Sequence, residues 1–326
     1  MAVNKLVHVN ESGLPLNAIE WLERHHFSKI HEREQMIRDI WFKRSSNIVD
    51  AGCGPGLWIP LLARAIGPLG HILGVDLSPE ALVTAQRRSQ ANWYHRMVQY
   101  KLGTLEQLPV KPGTVDTIFS ANVSQYLPDP VSTFAAMGRY LVPGGRLAIK
   151  DIDFGTMRFY NIDIGLQARV FQARQRWEQL RLADGYAFED SWVGSKLAGY
   201  LQAAGYEEIQ ERSYRIVRRY PLFKDFRFYL QGIAEWFVSE GAPLLDGEDL
   251  TNWLQCFFDG EKCVLDQHTF VSEETEFVVT GVWNKPYPAP VSFFDMSSRP
   301  LEEALVQTQA ENSNLSGLVQ DAPVSL

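Results

Sequence analysis

With 326 residues, 45% of them apolar and 21% charged, the chain can bury one large core, or a core with a cap, and has the composition of an ordinary globular enzyme. A formal net charge of −8 argues against a protein that holds nucleic acid by neutralising phosphates. Cys53, Cys256 and Cys263 are odd in number and form no CxxC pair, which excludes a disulfide framework or a zinc site; there is no secretory leader and no apolar run of the ~18–20 residues a bilayer requires, so a cytoplasmic protein with no metal, membrane or nucleic-acid partner is expected.

Residues 16–43 carry Ile19, Leu22, Phe27, Ile30, Ile37 and Trp41 at helical spacing, which predicts one or two helices. The period then changes. Asn47–Ala51 reads as a short buried strand running into a glycine-rich turn, with a helix from about Leu57 to Ile66 behind it. Gly67-Pro68-Leu69-Gly70 is a turn, His71–Val75 a second strand, and Ser78-Pro79-Glu80 an N-cap followed by proline at the first helical position. Further strands near 97–101, 115–120 and 145–150 alternate with helices near 79–92 and 130–141. Gly194–Ala204 reads as a helix closed by Gly205, and Glu207–Val217 and Glu276–Trp283 as a closing strand pair. This alternation predicts an α/β fold with a mostly parallel sheet and helices on both faces.

Two segments stand outside the alternation, at about 152–190 and 221–265. The first holds Arg169, Arg174, Arg176 and Arg181 interleaved with acids, expected as a solvated helix face. The second is aromatic, with Tyr220, Phe223, Phe226, Phe228, Tyr229, Trp236 and Phe237. Its helical spacing suits a core face, but its place in an insertion also suits the lid of an apolar acceptor pocket or a homodimer contact. Arg212, Arg215, Arg218 and Arg219 fall on an expected edge strand, where charge discourages edge pairing. The expected organisation is a helical cap over 1–43, a main domain over 44–284 with the two insertions completing the cap, and a poorly ordered polar tail over 285–326.

The chemistry is carried by Asp50-Ala51-Gly52-Cys53-Gly54-Pro55-Gly56, a strand end followed by glycines at alternate positions. Glycine permits φ > 0 and lets backbone approach a ligand where a Cβ would collide, and the N–H groups of the following helix start point into the same space. Asp76 closes the second strand, the position from which a carboxylate in a doubly wound fold accepts hydrogen bonds from both ribose hydroxyls. Capping the next helix is its other possible role, although Ser78 already offers that cap. The turn alone also suits a nicotinamide dinucleotide, but that fingerprint wants a small residue where this chain has Leu57.

These motifs resemble those of the class I S-adenosylmethionine-dependent methyltransferases, in particular the menaquinone-methylase-like group. Asp50–Gly56 is similar to the family's first motif and Gly74-Val75-Asp76-Leu77-Ser78 to its second. Gly103-Thr104-Leu105-Glu106-Gln107-Leu108-Pro109 resembles the segment that frames adenine, Val115–Asn122 the fourth-strand motif, and Leu141–Leu147 the turn into strand five. The resemblance implies a Rossmann-like, doubly wound, seven-stranded sheet, S-adenosylmethionine as cofactor, and Asp50, Ala51, Gly52, Cys53, Gly54, Gly56, Asp76, Leu77, Thr104, Leu105 and Asn122 as its binding residues. One departure stands out: the family carries an acidic residue where Thr104 stands, and a neutral acceptor is weaker than a carboxylate.

The implied reaction is methyl transfer to an O, N or C atom of a small, apolar or aromatic metabolite. A hydroxyl or ammonium acceptor needs a base. His25 and His26 are candidates because the family's N-terminal helices cover the cofactor; the bland alternative puts them on a solvated helix face. Tyr126, just after strand four, and Asp151 and Asp153, just after strand five, lie at strand carboxyl ends where ligands bind. The alternatives are a methyltransferase acting on a protein or peptide side chain, and an S-adenosylmethionine-binding module without catalysis.

Overall fold

The computed structural model of the chain describes residue 9 and residues 16–183, 190–239 and 244–285. The expected tail beyond Lys285 lies outside them. β1 (Asn47–Ala51), β2 (His71–Asp76), β3 (Val98–Leu102), β4 (Val115–Ala121) and β5 (Leu141–Phe159) run parallel, and β7 (Val271–Trp283) pairs antiparallel with both β5 and β6 (Glu207–Arg219). The strand order is β3-β2-β1-β4-β5-β7-β6, with seven strands in one sheet. Apolar residues fill both faces of the central strands because helices cover both. Ile48, Val49 and Ala51 of β1 are fully buried, as are Ile72, Leu73 and Val75 of β2.

The order reverses between β1 and β4, and in such sheets the crevice outside the strand carboxyl ends at that point is the ligand site. Parallel register puts Asp50 beside Gly74 on one side and Phe119 on the other, so the ends of β1, β2 and β4 open onto one space. The helices are α1 (Ile19–Ser28), α2 (Ile30–Ile40), α3 (Ile59–Ile66), α4 (Pro79–Gln90), α5 (Pro130–Gly138), α6 (Ile164–Ala183), α7 (Leu197–Ala204), α8 (Lys224–Ser239) and α9 (Gly247–Phe258). Local signals set their ends. Ser78 accepts from Ala81 N at 3.2 Å with Pro79 at the first position, and Gly205 ends α7 in the left-handed region at φ 91°. No described helix is long and apolar enough to cross a membrane.

Three expectations change. β5 does not stop near residue 150 but continues to Phe159, so the start of the supposed 152–190 insertion is strand. β7 correspondingly starts at Val271, and these two, with β6 paired along β7, extend beyond the main sheet as a ribbon. Ile152, Phe154, Met157 and Phe159 give this ribbon an apolar surface, and the aromatic run buries itself against it. Phe226, Tyr229, Trp236 and Phe237 of α8 are buried together with Trp21 of α1 and Trp253 and Phe257 of α9. Most of the run is therefore core, with Tyr220 and Phe228 partly buried against it and Phe223 83% exposed. Finally, Arg174 does not lie on a solvated face. It is fully buried, pairs with Glu178 at 3.0 Å and lies over Trp236, whereas Arg169 meets Asp249 near the surface. The Arg181 side chain lies outside the described residues.

Candidate cofactor and acceptor site

The glycine turn is bonded to its neighbours at both ends. Gly52 N and Cys53 N donate to Val75 O at 2.8 and 3.0 Å, and Gly54 N donates to Asp76 Oδ2 at 2.7 Å. Gly52 has φ 75°, and a Cβ there would run into Val123 Cγ2. Gly54, at φ 52°, would meet nothing within 4 Å, so open space lies over the middle of the turn. Turn and carboxylate thus face each other directly.

Asp76 Oδ1 accepts from Ser78 N at 2.9 Å, so it does cap the start of the next helix. An ionised carboxylate has about four acceptor positions, of which two are filled by backbone N–H groups that fix its orientation. The two that remain match a ribose diol. Leu77, next in the chain, is 67% exposed beside them, an apolar surface at the crevice rim. Leu105 is buried, and Thr104, half-buried, turns its hydroxyl to Gln107 N at 3.1 Å. Asp50 is buried with Oδ2 lacking any partner. Burial, and then the neighbouring Asp76, push its carboxyl up to about 8, so it is mostly neutral until a cation arrives. A crevice with a diol acceptor pair, an apolar rim, open space over glycine and a buried carboxyl awaiting a cation fits an adenosyl amino acid. Cys53 is a wall residue, its thiol held protonated by burial.

Ligand-free stability should register Asp50. With a folded value near 8 and an ordinary one of 3.8, the folded state binds the extra proton between those limits, so this group makes stability fall as pH rises from about 4 to 8. Asp151, raised to about 6 by burial, acts in the same direction only up to that pH. The difference in urea stability between wild type and Asp50→Asn should therefore change between pH 6 and 8 by up to about 1.4 kcal/mol per unit. A difference that stays constant across the window would show that Asp50 is ionised throughout.

Beside the crevice lies a buried charged cluster. Lys29 Nζ, between α1 and α2, meets Glu274 and Glu276 of β7 at 2.9 and 3.0 Å, and Lys150 Nζ of β5 meets Glu276 at 3.0 Å. Lys150 also donates to Asn122 Oδ1 at 2.6 Å, holding Asn122 at φ 59° beyond β4. Tyr229 of α8 donates to Glu274 at 2.5 Å and lies under Lys29. Arg33 Nη1 and Nη2 face His26 Nδ1 at 2.5 Å and His25 Nε2 at 3.2 Å. Burial, with Lys29 and Arg33 for His25 and Arg33 for His26, lowers both imidazoles well below 6.5, so both are neutral.

The expected site residues are thus largely brought together, with corrections. His25 and His26 are buried, not solvated, because α1 packs onto α8, where His25 stacks on Tyr229, while His26 meets Trp58 edge-on. Asp151 and Asp153 do not follow strand five but lie within it, and both are buried. Asp151 accepts from Ser124 N and Ile152 N at 3.0 Å, tying the β4 turn to β5; Asp153 accepts from Gly155 N and Ser195 N. Tyr126 is half-buried in the same β4 turn, its hydroxyl accepting from Asn17 at 3.2 Å. Lys29, Arg33, Lys150, Glu274 and Glu276 were not legible as site residues. The available signal was Lys150 directly after the apolar stretch Leu147–Ile149, and Glu274 and Glu276 two apart on one strand face.

Residues 49–149 match the family model for a methyltransferase domain. The chain is 35% identical over 105 residues to an arsenite methyltransferase of Halobacterium salinarum, covering 32% of this chain and 27% of that protein. It is 22% identical over 191 residues to a demethylmenaquinone methyltransferase of Staphylococcus carnosus, covering 56% of this chain and 76% of that one. The chain thus spans less than a third of the first relative's length and about three quarters of the second's. A solved structure of a putative methyltransferase from Bacillus halodurans superimposes with a TM-score of 0.51 at 14% identity, covering 78% of this chain and 100% of that one, which bears on the fold. The strand order, the glycine turn facing Asp76 and the matched segment agree: residues 49–149 are similar to a methyltransferase domain and lie on an α/β sheet that shares its fold with the solved structure.

Proposed function

We propose that the protein transfers a methyl group from S-adenosylmethionine to an O, N or C atom of a small molecule. The observation that carries this reading is the direct bond between the glycine turn and Asp76 at the carboxyl ends of β1 and β2. When bound, the cofactor supplies a sulfonium methyl that is already electrophilic. The chain's own residues then have to hold, orient and exclude water, which can lower a barrier by about 7–11 kcal/mol. Asp76 takes the ribose hydroxyls, Asp50 the ammonium group, and Leu77, Thr104 and Leu105 frame the adenine. Ala51, Gly52, Cys53, Gly54 and Gly56 form the wall, and Asn122, locked by Lys150, closes the far side.

On the acceptor side, His25 and His26 are poor proton acceptors, because protonation would place a third and fourth cation against Lys29 and Arg33. They take positioning roles instead. Tyr126, half-buried just beyond β4, remains a candidate, whereas Asp151 is fully buried inside β5 with both oxygens taken by backbone amides. Two relatives named for acceptors as different as arsenite and demethylmenaquinone support a small molecule without choosing among them. The aromatic run gives no support to an apolar acceptor, since its rings are used in the core.

Incubation of the protein and S-adenosylmethionine with a metabolite extract should yield a compound heavier by one methyl group, together with S-adenosylhomocysteine. Labelling only of peptides would turn the reading to a protein substrate. Tight binding of S-adenosylhomocysteine with no methylated product in either pool would leave a silent binding module.

A further inference from the structure

The crevice has a carboxylate for the ribose but none in the stretch that meets the base. Strand order fixes where the base lies. The glycine turn follows β1, Asp76 closes β2, and β3 is the next strand outward, with Leu102 paired to Asp76. An adenosyl group that runs from the turn across Asp76 therefore lays its base against residues 103–105. Gly103 N donates to Asp76 O at 3.2 Å, which keeps that stretch close. Leu77 and Leu105 supply apolar surface there, and Thr104 is its one polar side chain.

The acid nearest in sequence, Glu106, is engaged by α5, its Oε1 accepting from Thr133 Oγ1 at 2.8 Å. Thr104 Oγ1 accepts from Gln107 N at 3.1 Å, which holds the hydroxyl oxygen and leaves its proton free to rotate. A hydroxyl has two lone pairs and one proton, so one lone pair and the proton remain for a ligand. That distinction decides which bases fit. An ionised carboxylate at this position could only accept; it would pair with the amino group of adenine and be left unpaired by a carbonyl oxygen. A hydroxyl accepts from the amino group or, after rotating, donates to the carbonyl. We propose that Thr104 makes the base end of the crevice tolerant, so that it takes an inosyl group, with an oxo substituent on the purine, as well as an adenosyl group with an amino substituent. The tolerance rests on the adenosyl crevice of the proposed function and involves no methyl acceptor.

Calorimetry with S-adenosylhomocysteine and S-inosylhomocysteine on wild type, Thr104→Asp and Thr104→Val tests this, with melting curves to show that each variant is folded. Aspartate keeps an oxygen for Gln107 N, so the turn is retained while the ligand-facing group becomes an acceptor only. The wild type should bind the two compounds within tenfold of each other. Thr104→Asp should tighten the adenosyl compound and weaken the inosyl one, so that their ratio grows tenfold or more. Thr104→Val should weaken both and leave the ratio within threefold of wild type. A wild type that binds the adenosyl compound and discriminates more than tenfold against the inosyl one overturns the proposal, because another group then selects the amino substituent. An unchanged ratio in Thr104→Asp also overturns it and leaves Thr104 as a cap of its own turn. The cofactor reading survives both of those results. If the wild type binds neither compound, the cofactor reading falls and the tolerance falls with it.

Discussion

Asp76→Ala should weaken S-adenosylhomocysteine binding by roughly one to two orders of magnitude, the fold-change equivalent of losing ~1.5–3 kcal/mol of hydrogen bonding to an ionised partner. Two losses combine. The ribose hydroxyls lose their acceptor, and Gly54 N loses the 2.7 Å bond that fixes the middle of the turn. Because Asp76 is half-buried at the crevice rim and makes no ion pair among the described residues, the fold itself should tolerate the change. Isothermal calorimetry reads the affinity, and a thermal melt of the ligand-free protein serves as control. An affinity within a factor of about two of wild type would mean that the crevice outside β1 and β2 does not hold the adenosyl group.

Glu276→Ala should be the most destabilising single change in the charged cluster, by about 3–5 kcal/mol in urea unfolding. Glu276 is fully buried and meets Lys29 and Lys150, each at 3.0 Å. Removing it leaves Lys150 facing only Asn122 and Asp151, and Lys29 only Glu274. Burial alone would raise the Glu276 carboxyl, but Lys150 and Lys29 outweigh it and hold the group well below its ordinary 4.5. A depressed carboxylate contributes stability that is present above that ordinary value and lost as pH falls through the folded one. The gap between wild type and Glu276→Ala should therefore be full at pH 7 and shrink below about pH 4.5. A cost under 1 kcal/mol at pH 7 would show that water, not Glu276, satisfies the two lysines.

Much of the fold follows from local signals. The strands and their glycine turn are short apolar runs ended by residues with particular backbone demands, such as Gly52 next to Val123. Ser78-Pro79 and Gly205 set helix ends by chemistry contained within a few residues. The candidate cofactor residues were equally visible, because a turn that needs glycine and a strand that ends in Asp76 are stated within single stretches of chain. The cap was less visible. The aromatic spacing of α8 marks one buried face but does not say against what, and the answer was a ribbon formed by β5, β7 and β6 running past the sheet.

The sequence by itself determined the α/β alternation, the turn over which a nucleoside can lie, and the carboxylate that faces it, since each depends on backbone conformation and neighbours within a few residues. Only the tertiary structure decided where the charges went. Lys29, Arg33, Lys150, Glu274 and Glu276 come from elements up to 247 residues apart, and a lone lysine or glutamate in a helix or strand ordinarily faces water. Antiparallel pairing of β7 against β5 turns Glu276 inward beside Lys150, and the packing of α1 and α2 brings Lys29 and Arg33 onto the same spot. Burial is a property of that assembly, not of any one stretch of chain.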